Sequence, residues 1–499
     1  MSQHFPAFII VIPLIAAFFI FTAGWLKRTY CFYIAAVALA ISLFSSFGLL
    51  LQVLQNKVVV YHFGGWSPPW GIAYRVDYLN GIVLVVSAAI AFLNLIATKK
   101  SVEKEFIERV GPFYALYVLF VTGTMGIVVT GDAFNLYVLL EIASLTGYAL
   151  IGMGTEHAAL ASLNYVFMGT IGASFYLLGI GYLYIATGSL NMFDIASILP
   201  NIFQSNVVLF AFVICLTGLF IKMALFPMHT WLPNAYTYSP SPAISLIAPL
   251  TTKVMVYVMI RILLSVFTPS FSFKSMAVNT SFVWLAVIAI VVGSILALSQ
   301  QSLKRMLSYV MIAEIGYMVG GFWLANRAGI TGAILHIIND AAMTLCVFLV
   351  AGNILYRVPG DSFDNLKGLF RKMPFSMGAF VVGALSIIGV PPTCGFFSKW
   401  YLITGGIAAG HYGFVAALLF SSLVNVVLFF RIFEIGYFEP FGDLHISGSM
   451  DEEEKTFDDA PLGMLVPLMI VAAGLIALGI YTDTLVTKVI QFAIPGGIS

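Results

Sequence analysis

Apolar residues run in long blocks along this chain, separated by short polar stretches. A block of about 20 apolar residues is long enough to cross a bilayer as a helix. Fourteen such spans are predicted, at about 6–25, 30–54, 78–98, 112–130, 133–153, 160–186, 207–226, 242–267, 279–299, 306–325, 329–356, 375–404, 410–438 and 462–490. The first is not read as a cleaved signal, because no basic segment precedes it and Lys27 and Arg28 follow it. That order places the N-terminus outside.

Basic residues in loops favour the inner face of a membrane, which tests this layout. With the N-terminus outside, the inside loops hold thirteen: Lys27, Arg28, Lys99, Lys100, Lys104, Arg109, Lys304, Arg305, Arg357, Lys367, Arg371, Lys372 and Lys455. The outside loops hold four, Lys57, Arg75, Lys274 and Arg327. This bias favours fourteen spans with both termini outside. The longest polar segment, about 439–461, includes Asp451, Glu452, Glu453, Glu454, Lys455, Asp458 and Asp459. It reads as a solvated cytoplasmic loop, with a docking site for a partner subunit as the alternative.

Composition agrees. The 499 residues are 61% hydrophobic and only 9% charged, against roughly 25% charged in soluble domains. Mean hydropathy is +1.00. This excludes a secreted disulfide domain, a disordered chain and an ordinary cytoplasmic enzyme. The 23 basic and 22 acidic residues nearly cancel, so nucleic-acid binding, which needs a basic surface, is not expected. Cys31, Cys215, Cys346 and Cys394 are scattered through apolar runs without metal or disulfide spacing and read as packing residues.

A charge at mid-bilayer costs roughly 2.5–3.5 kcal/mol on insertion scales, so each needs a reason. Glu141, Lys222, Lys253, Glu314, His336, Asp340 and Lys399 all fall within spans. Arg261 and Glu434 lie nearer span ends and read as interface anchors. Static ion pairs are the plain alternative, but buried pairs stabilise poorly because desolvation offsets their attraction. Seven ionisable groups spread over several spans fit a proton relay better. A lysine in an apolar site switches between holding and releasing a proton as a carboxylate approaches or withdraws.

Two spans are also expected to be broken. Pro227 lies in the seventh, and Pro391-Pro392 follow Gly389 in the twelfth. Each proline frees carbonyls that lipid cannot satisfy. The breaks are five spans apart. So are Glu141, in EIASLTGYALIG, and Glu314, in EIGYMVGG. An odd interval implies two repeats of opposite orientation, as in many transporters, with an ion path near the midplane.

The stretch FIKMALFPMHTWLPNAYTYSPSPAISLIAPLTTKVMVYVMIR resembles the proton-translocating antiporter-like subunits of Mrp-type sodium/proton antiporters, complex I and membrane-bound hydrogenases. The Glu141 segment, LKRMLSYVMIAEIGYM, HIINDAAMTLCVFLVAG and IIGVPPTCGFFSKWYL fit the same family, from about Tyr114 to Glu434. The resemblance implies an all-α polytopic membrane protein with fourteen transmembrane helices, inverted five-helix repeats and broken helices seven and twelve. One antiporter-like domain would then fill 1–499: helices one to three in about 1–110, the repeats in 111–267 and 279–438, and helix fourteen in 462–490.

It also implies roles. Glu141 matches the glutamate that modulates the helix-seven lysine, here Lys222. Lys253 matches the central lysine, His336 the first histidine of helix eleven, and Lys399 the terminal group of helix twelve. His229 follows the first break and would line the uptake side. There are departures. Helix eleven often carries two histidines and a lysine at four-residue spacing, where this chain has His336, Asp340 and Thr344. Asn234, Tyr236 and Tyr238 replace the Asp, His and Glu of some relatives, and Glu314 is an added carboxylate.

With no long extension after the last span, the chain resembles the D-type Mrp subunit. The expected function is proton translocation within a cation (Na+)/proton antiporter in the inner membrane, surrounded by lipid and other subunits. A pumping subunit of a redox-driven NADH dehydrogenase or hydrogenase is the alternative. No cofactor or metal site is expected. A lipid-modifying enzyme is disfavoured, because neither acidic metal motifs nor a nucleophile–histidine pair appears in the loops.

Overall fold

The computed structural model describes residues 2–155, 157–276, 278–438 and 458–498. The helices are α1 (Phe5–Leu26), α2 (Arg28–Asn56), α3 (Tyr78–Glu105), α4 (Val110–Val129), α5 (Ala133–Gly152), α6 (Ala158–Thr187), α7 (Asn206–Lys222) and α8 (Trp231–Tyr238). They continue as α9 (Ser241–Ser265), α10 (Asn279–Leu298), α11 (Leu303–Trp323), α12 (Arg327–Arg357), α13 (Pro374–Ile388), α14 (Cys394–Ala408), α15 (Tyr412–Phe438) and α16 (Leu462–Ile480). Among the described residues, 12 are long and apolar enough to cross a membrane. The expected seventh and twelfth spans are instead pairs of shorter helices, α7 with α8 and α13 with α14. The protein is thus a helical, multi-pass integral membrane protein.

Short polar residues start these helices as they do in water. Asp77 and Asn80 form a capping box at α3, and Asp132, Ser205, Ser302 and Asn326 accept first-turn N–H groups at α5, α7, α11 and α12. Between α2 and α3 a two-stranded hairpin pairs Val59–His62 with Ala73–Val76.

Burial separates the helices into two classes. In α9, α11 and α12, 94% of the most apolar stretch is buried, against 39% in α1, α2 and α10. The helices carrying Lys253, Glu314, His336 and Asp340 are therefore the ones wrapped by the others, which is where a membrane protein can hold ionisable groups. Small residues let two helix pairs meet backbone to backbone. A Cβ on Gly123 of α4 would lie 2.6 Å from the Ala143 N of α5, and one on Gly293 of α10 would lie 2.8 Å from the Ala313 N of α11.

Both breaks share a local design. After α7, Ala224 takes a left-handed φ of 59° and Leu225 N–H bonds back to Phe220 O at 3.0 Å. After α13, Gly389 takes φ 94° and Val390 N–H bonds back to Leu385 O at 2.9 Å. Each helix is thus closed by a Schellman-type turn, with its left-handed residue three positions before Pro227 and two before Pro391. The proline ends a segment whose helix has already stopped, and so Lys222 is the last residue of α7 rather than a mid-helix group.

Two loop readings change. Most of the polar segment, 439–457, lies outside the described residues. Asp459 is buried, not solvated: its carboxylate accepts from Phe375 N, Ser376 N and Ser376 Oγ at the start of α13, while Arg357 donates to its carbonyl and pairs with Asp458 at 3.0 Å. Lys304, expected as a loop charge, is buried and donates to Ser239 O at 3.0 Å. All four cysteines are buried and unpaired.

Candidate functional site

At the first break, Lys222 closes α7 with its ammonium turned toward α5. Its Nζ donates to Ser144 Oγ at 2.8 Å and Tyr148 Oη at 3.4 Å, and lies 3.9 Å from a Glu141 carboxylate oxygen. These three α5 residues share a face by helical spacing. Lys222 is 4% exposed, whereas the Glu141 side chain is 26% exposed. Glu141 was expected to be buried; it opens instead on the flank of the chain. Ile221 O at the end of α7 accepts from Ala224 N in the closing turn and also from the Trp231 indole N–H, each at 3.1 Å. That indole lies flat on Tyr165 (ring centroids 3.9 Å apart), and Tyr165 packs edge-on against Tyr148.

A cavity of about 30 Å³ lies beside Lys222, lined also by Ser144, Thr124, Tyr165, Thr251, Val254 and Met255. A water needs roughly 10–15 Å³ of such space and polar partners. The cavity has room for one or two and spans from the Lys222 ammonium to the turn of α9 that carries Lys253. A second space of about 10 Å³ adjoins Lys253 itself.

The middle of the protein holds the tightest cluster. Lys253 Nζ lies 3.1 Å from Asp340 Oδ2 and donates to Thr344 Oγ1 at 3.0 Å. Thr344 in turn donates to Asp340 Oδ1 at 2.9 Å. Asp340 is also placed to hydrogen-bond the Glu314 carboxyl from α11. Lys253, Asp340 and Glu314 are at most 2% exposed. Asp340 and Thr344 therefore take up Lys253 directly, at positions where the resemblance suggested a histidine and a lysine.

One turn before Asp340, fully buried His336 meets Ser398 of α14 at 2.8 Å through Nδ1. Ser398 sends its own proton to Gly395 O at 3.1 Å. His336 Nε2 has no hydrogen-bond partner. Lys399 lies one residue beyond Ser398. Its Nζ donates to Ile387 O at 2.7 Å, Ile388 O at 3.1 Å and Ser422 Oγ at 3.0 Å. It thus occupies the carbonyls that the second break sets free.

Two further expectations need correction. The backbone contacts Gly123–Ala143 and Gly293–Ala313 are each repeated after 170 residues, and the same shift brings Ser144 to Glu314, not Glu141 to Glu314. The two glutamates are one helical turn out of register. Arg261 is no interface anchor: it is buried and grips Asp77 through two hydrogen bonds of 2.7 and 2.8 Å. His229 sits in the connection between α7 and α8, its ring 5.2 Å from that of Phe226, without a hydrogen bond to the lysines. Among the described residues, no cluster of His, Cys, Asp or Glu could hold a metal. Sequence reasoning missed Ser144, Tyr148, Trp231, Ser398 and Ser422. Only the first two carried a signal, their helical spacing from Glu141.

Residues 130–425 match the transmembrane family of NADH:quinone oxidoreductases and Mrp antiporters. The chain belongs to that family. It is 39% identical to "NADH-quinone oxidoreductase subunit N" of Desulforudis audaxviator, over 99% of both chains. It is 31% identical to "Putative antiporter subunit mnhD2" of Staphylococcus haemolyticus, over 96% of this chain and 93% of that one. Among solved structures, a chain of an archaeal membrane-bound sulfane sulfur reductase superimposes with a TM-score of 0.87 at 27% identity, covering 97% of this family member and 96% of that chain. A chain of the Mrp complex from Dietzia sp. DQ12-45-1b superimposes with a TM-score of 0.86 at 22% identity, covering 99% and 97%, and shares the fold.

Proposed function

We propose that this chain is a proton-translocating subunit of a multisubunit Mrp-type antiporter that exchanges protons for a monovalent cation, Na+. The observation that carries this reading is the row of ionisable groups through the interior: Glu141 and Lys222, then Lys253 and Asp340, then His336 and Lys399. A proton taken up near the first break resides on Lys222 while Glu141 faces it. When Glu141 withdraws, Lys222 releases the proton through the adjoining cavity toward Lys253. His336 and Lys399 receive it on the far side, and it leaves near the second break. The first transfer, from Lys222 toward Lys253, has space for water beside it.

In this reading the chain is one membrane domain over 1–499, with repeats 111–267 and 279–438 in opposite orientation. It lies in the inner membrane with both termini outside, among lipid and partner subunits. The 39% identical relative named as an oxidoreductase subunit favours a second reading: the same proton path driven by electron transfer in other subunits.

The test uses everted vesicles carrying the complete native operon and a pH-sensitive dye. Added Na+ is expected to move protons in wild type, and Lys222→Ala is expected to abolish that signal at equal complex assembly. An unchanged signal in Lys222→Ala would sink the relay. Proton movement that requires an electron donor and ignores Na+ would establish the second reading.

A further inference from the structure

Between Lys253 and Lys399 the relay lacks the lysine that many relatives place on the helix bearing His336, and Thr344 stands there instead. We infer that Glu314 fills this gap: it shares one proton with Asp340, and this carboxyl pair carries the proton between Lys253 and Lys399. The inference rests on the proposed proton path and deepens it.

The geometry leads here in three steps. First, the two carboxyl groups are placed to hydrogen-bond each other, and each has a buried oxygen that no N–H or O–H donor bonds, Glu314 Oε1 and Asp340 Oδ2. Ionised carboxylates only accept, so such a bond requires a proton on one of them. Second, Asp340 already has the Lys253 ammonium beside it at 3.1 Å and accepts from the Thr344 hydroxyl at 2.9 Å. The proton therefore resides on Glu314, with Asp340 ionised. Lys253, Asp340 and protonated Glu314 then sum to zero charge, as a site at most 2% exposed demands. Third, Glu314 is 1% exposed and its Oε1 has no hydrogen-bond partner.

The charged groups facing Glu314 come from three neighbouring helices: Lys253 on α9, Asp340 on α12 and Lys399 on α14. On its own helix, Tyr317 turns its hydroxyl to Ser421, leaving the carboxyl to these three. Glu314 is thus within electrostatic reach of both lysines that the path must connect.

The transfer balances. Once Lys399 has released its own proton toward the exit and given up one of its three hydrogen bonds, Glu314 protonates the neutral amine, leaving a carboxylate and an ammonium. The pair, now doubly ionised beside Lys253, takes one proton from the Lys253 ammonium. Lys253 becomes a neutral amine and is recharged from the Lys222 side through the cavity. One proton has moved from α9 to α14, and the carboxyl pair again holds one.

Infrared spectroscopy of the purified native complex reads this directly. Wild type is expected to show the C=O stretch of a protonated carboxylic acid, shifting on deuterium exchange. Glu314→Gln removes the acid but keeps a donor for Asp340, so the complex assembles, the band disappears and cation-driven proton movement falls by about tenfold or more. Asp340→Asn is the second variant, informative even where Glu314→Gln fails to assemble. It leaves Glu314 as the only carboxylate for Lys253, so Glu314 ionises and the same band is lost although Glu314 is present.

A merely structural Glu314 predicts a different result, with the band retained in Asp340→Asn. No band in wild type, a band surviving in both variants, or a Glu314→Gln complex with undiminished proton movement would each overturn the inference. The infrared result is obtained without any gradient. A wild-type complex that moves no protons in response to cations therefore defeats the proposed antiport and leaves the carboxyl pair standing; the proton movement driven by an electron donor then becomes the activity to compare.

Discussion

The two broken segments close their helices in the same way and use their lysines in opposite ways. At the first break the lysine lies before the break and points at a carboxylate on the open flank of the chain, while a neutral indole adds a second donor to a carbonyl of the closing turn. At the second the lysine lies beyond the break and caps the freed carbonyls itself. Lys222 is therefore dispensable to the backbone around it, whereas Lys399 is part of what makes its break tolerable in a dry interior. The lesson is that two breaks of one local design can leave a lysine to side chains at one and bind it to freed backbone at the other.

The sharpest way to break this comparison is to remove each ammonium. Lys399→Met strands two buried carbonyls at about 1–3 kcal/mol each, so proton movement is lost and the complex also melts earlier in a thermal assembly assay. Lys222→Met loses proton movement equally but is expected to melt less early than Lys399→Met, because it strands no backbone carbonyl. Equal melting of the two variants would erase the distinction.

A smaller effect is expected at the indole. Trp231→Phe keeps the ring over Tyr165 but removes one of two donors to Ile221 O, which still accepts from Ala224 N at 3.1 Å, at about 0.5–1.5 kcal/mol. Lys222 would then turn to that carbonyl, making the first break resemble the second. Proton movement should fall while assembly persists; unchanged transport would mean the indole has no part in aiming Lys222.

The smallest effects lie in the turns. Ala224→Gly relieves a left-handed alanine and is expected to stabilise by about 1 kcal/mol. Gly389→Ala has the reverse sign and adds a Cβ 3.1 Å from Lys399 Cδ, so it should also slow proton movement. Matching shifts of one sign in denaturation assays would show that the turns are not equivalent.

The spans and the buried ionisable residues were legible in the sequence, because twenty apolar residues in a row and a charge among them are local facts. Partners were not. Four-residue spacing places His336, Asp340 and Thr344 on one face of α12, but only the packing of α9 and α11 decides that Asp340 meets Lys253 and Glu314. The proline signals located both breaks correctly to within a turn, yet α7 stops at Lys222 because of the turn at Ala224, for which alanine gives no warning. Arg261 looked like an anchor because its partner Asp77 is 184 positions away. Matching Glu141 with Glu314 by eye failed because a three-residue shift is invisible without the contacts at Gly123 and Gly293.

Lys253, Glu314 and Asp340 all lie near the middle of their helices. A proton passing among them travels across the bundle, not along its helices, and so stays at nearly one depth in the electric field of an energised membrane. Work against that field is about 2.3 kcal/mol per charge for each 100 mV crossed. It falls on the steps that bring the proton to Lys222 and take it from Lys399. On the proposed path, the two breaks are thus where membrane voltage would act, and the central trio would pass charge at nearly constant potential.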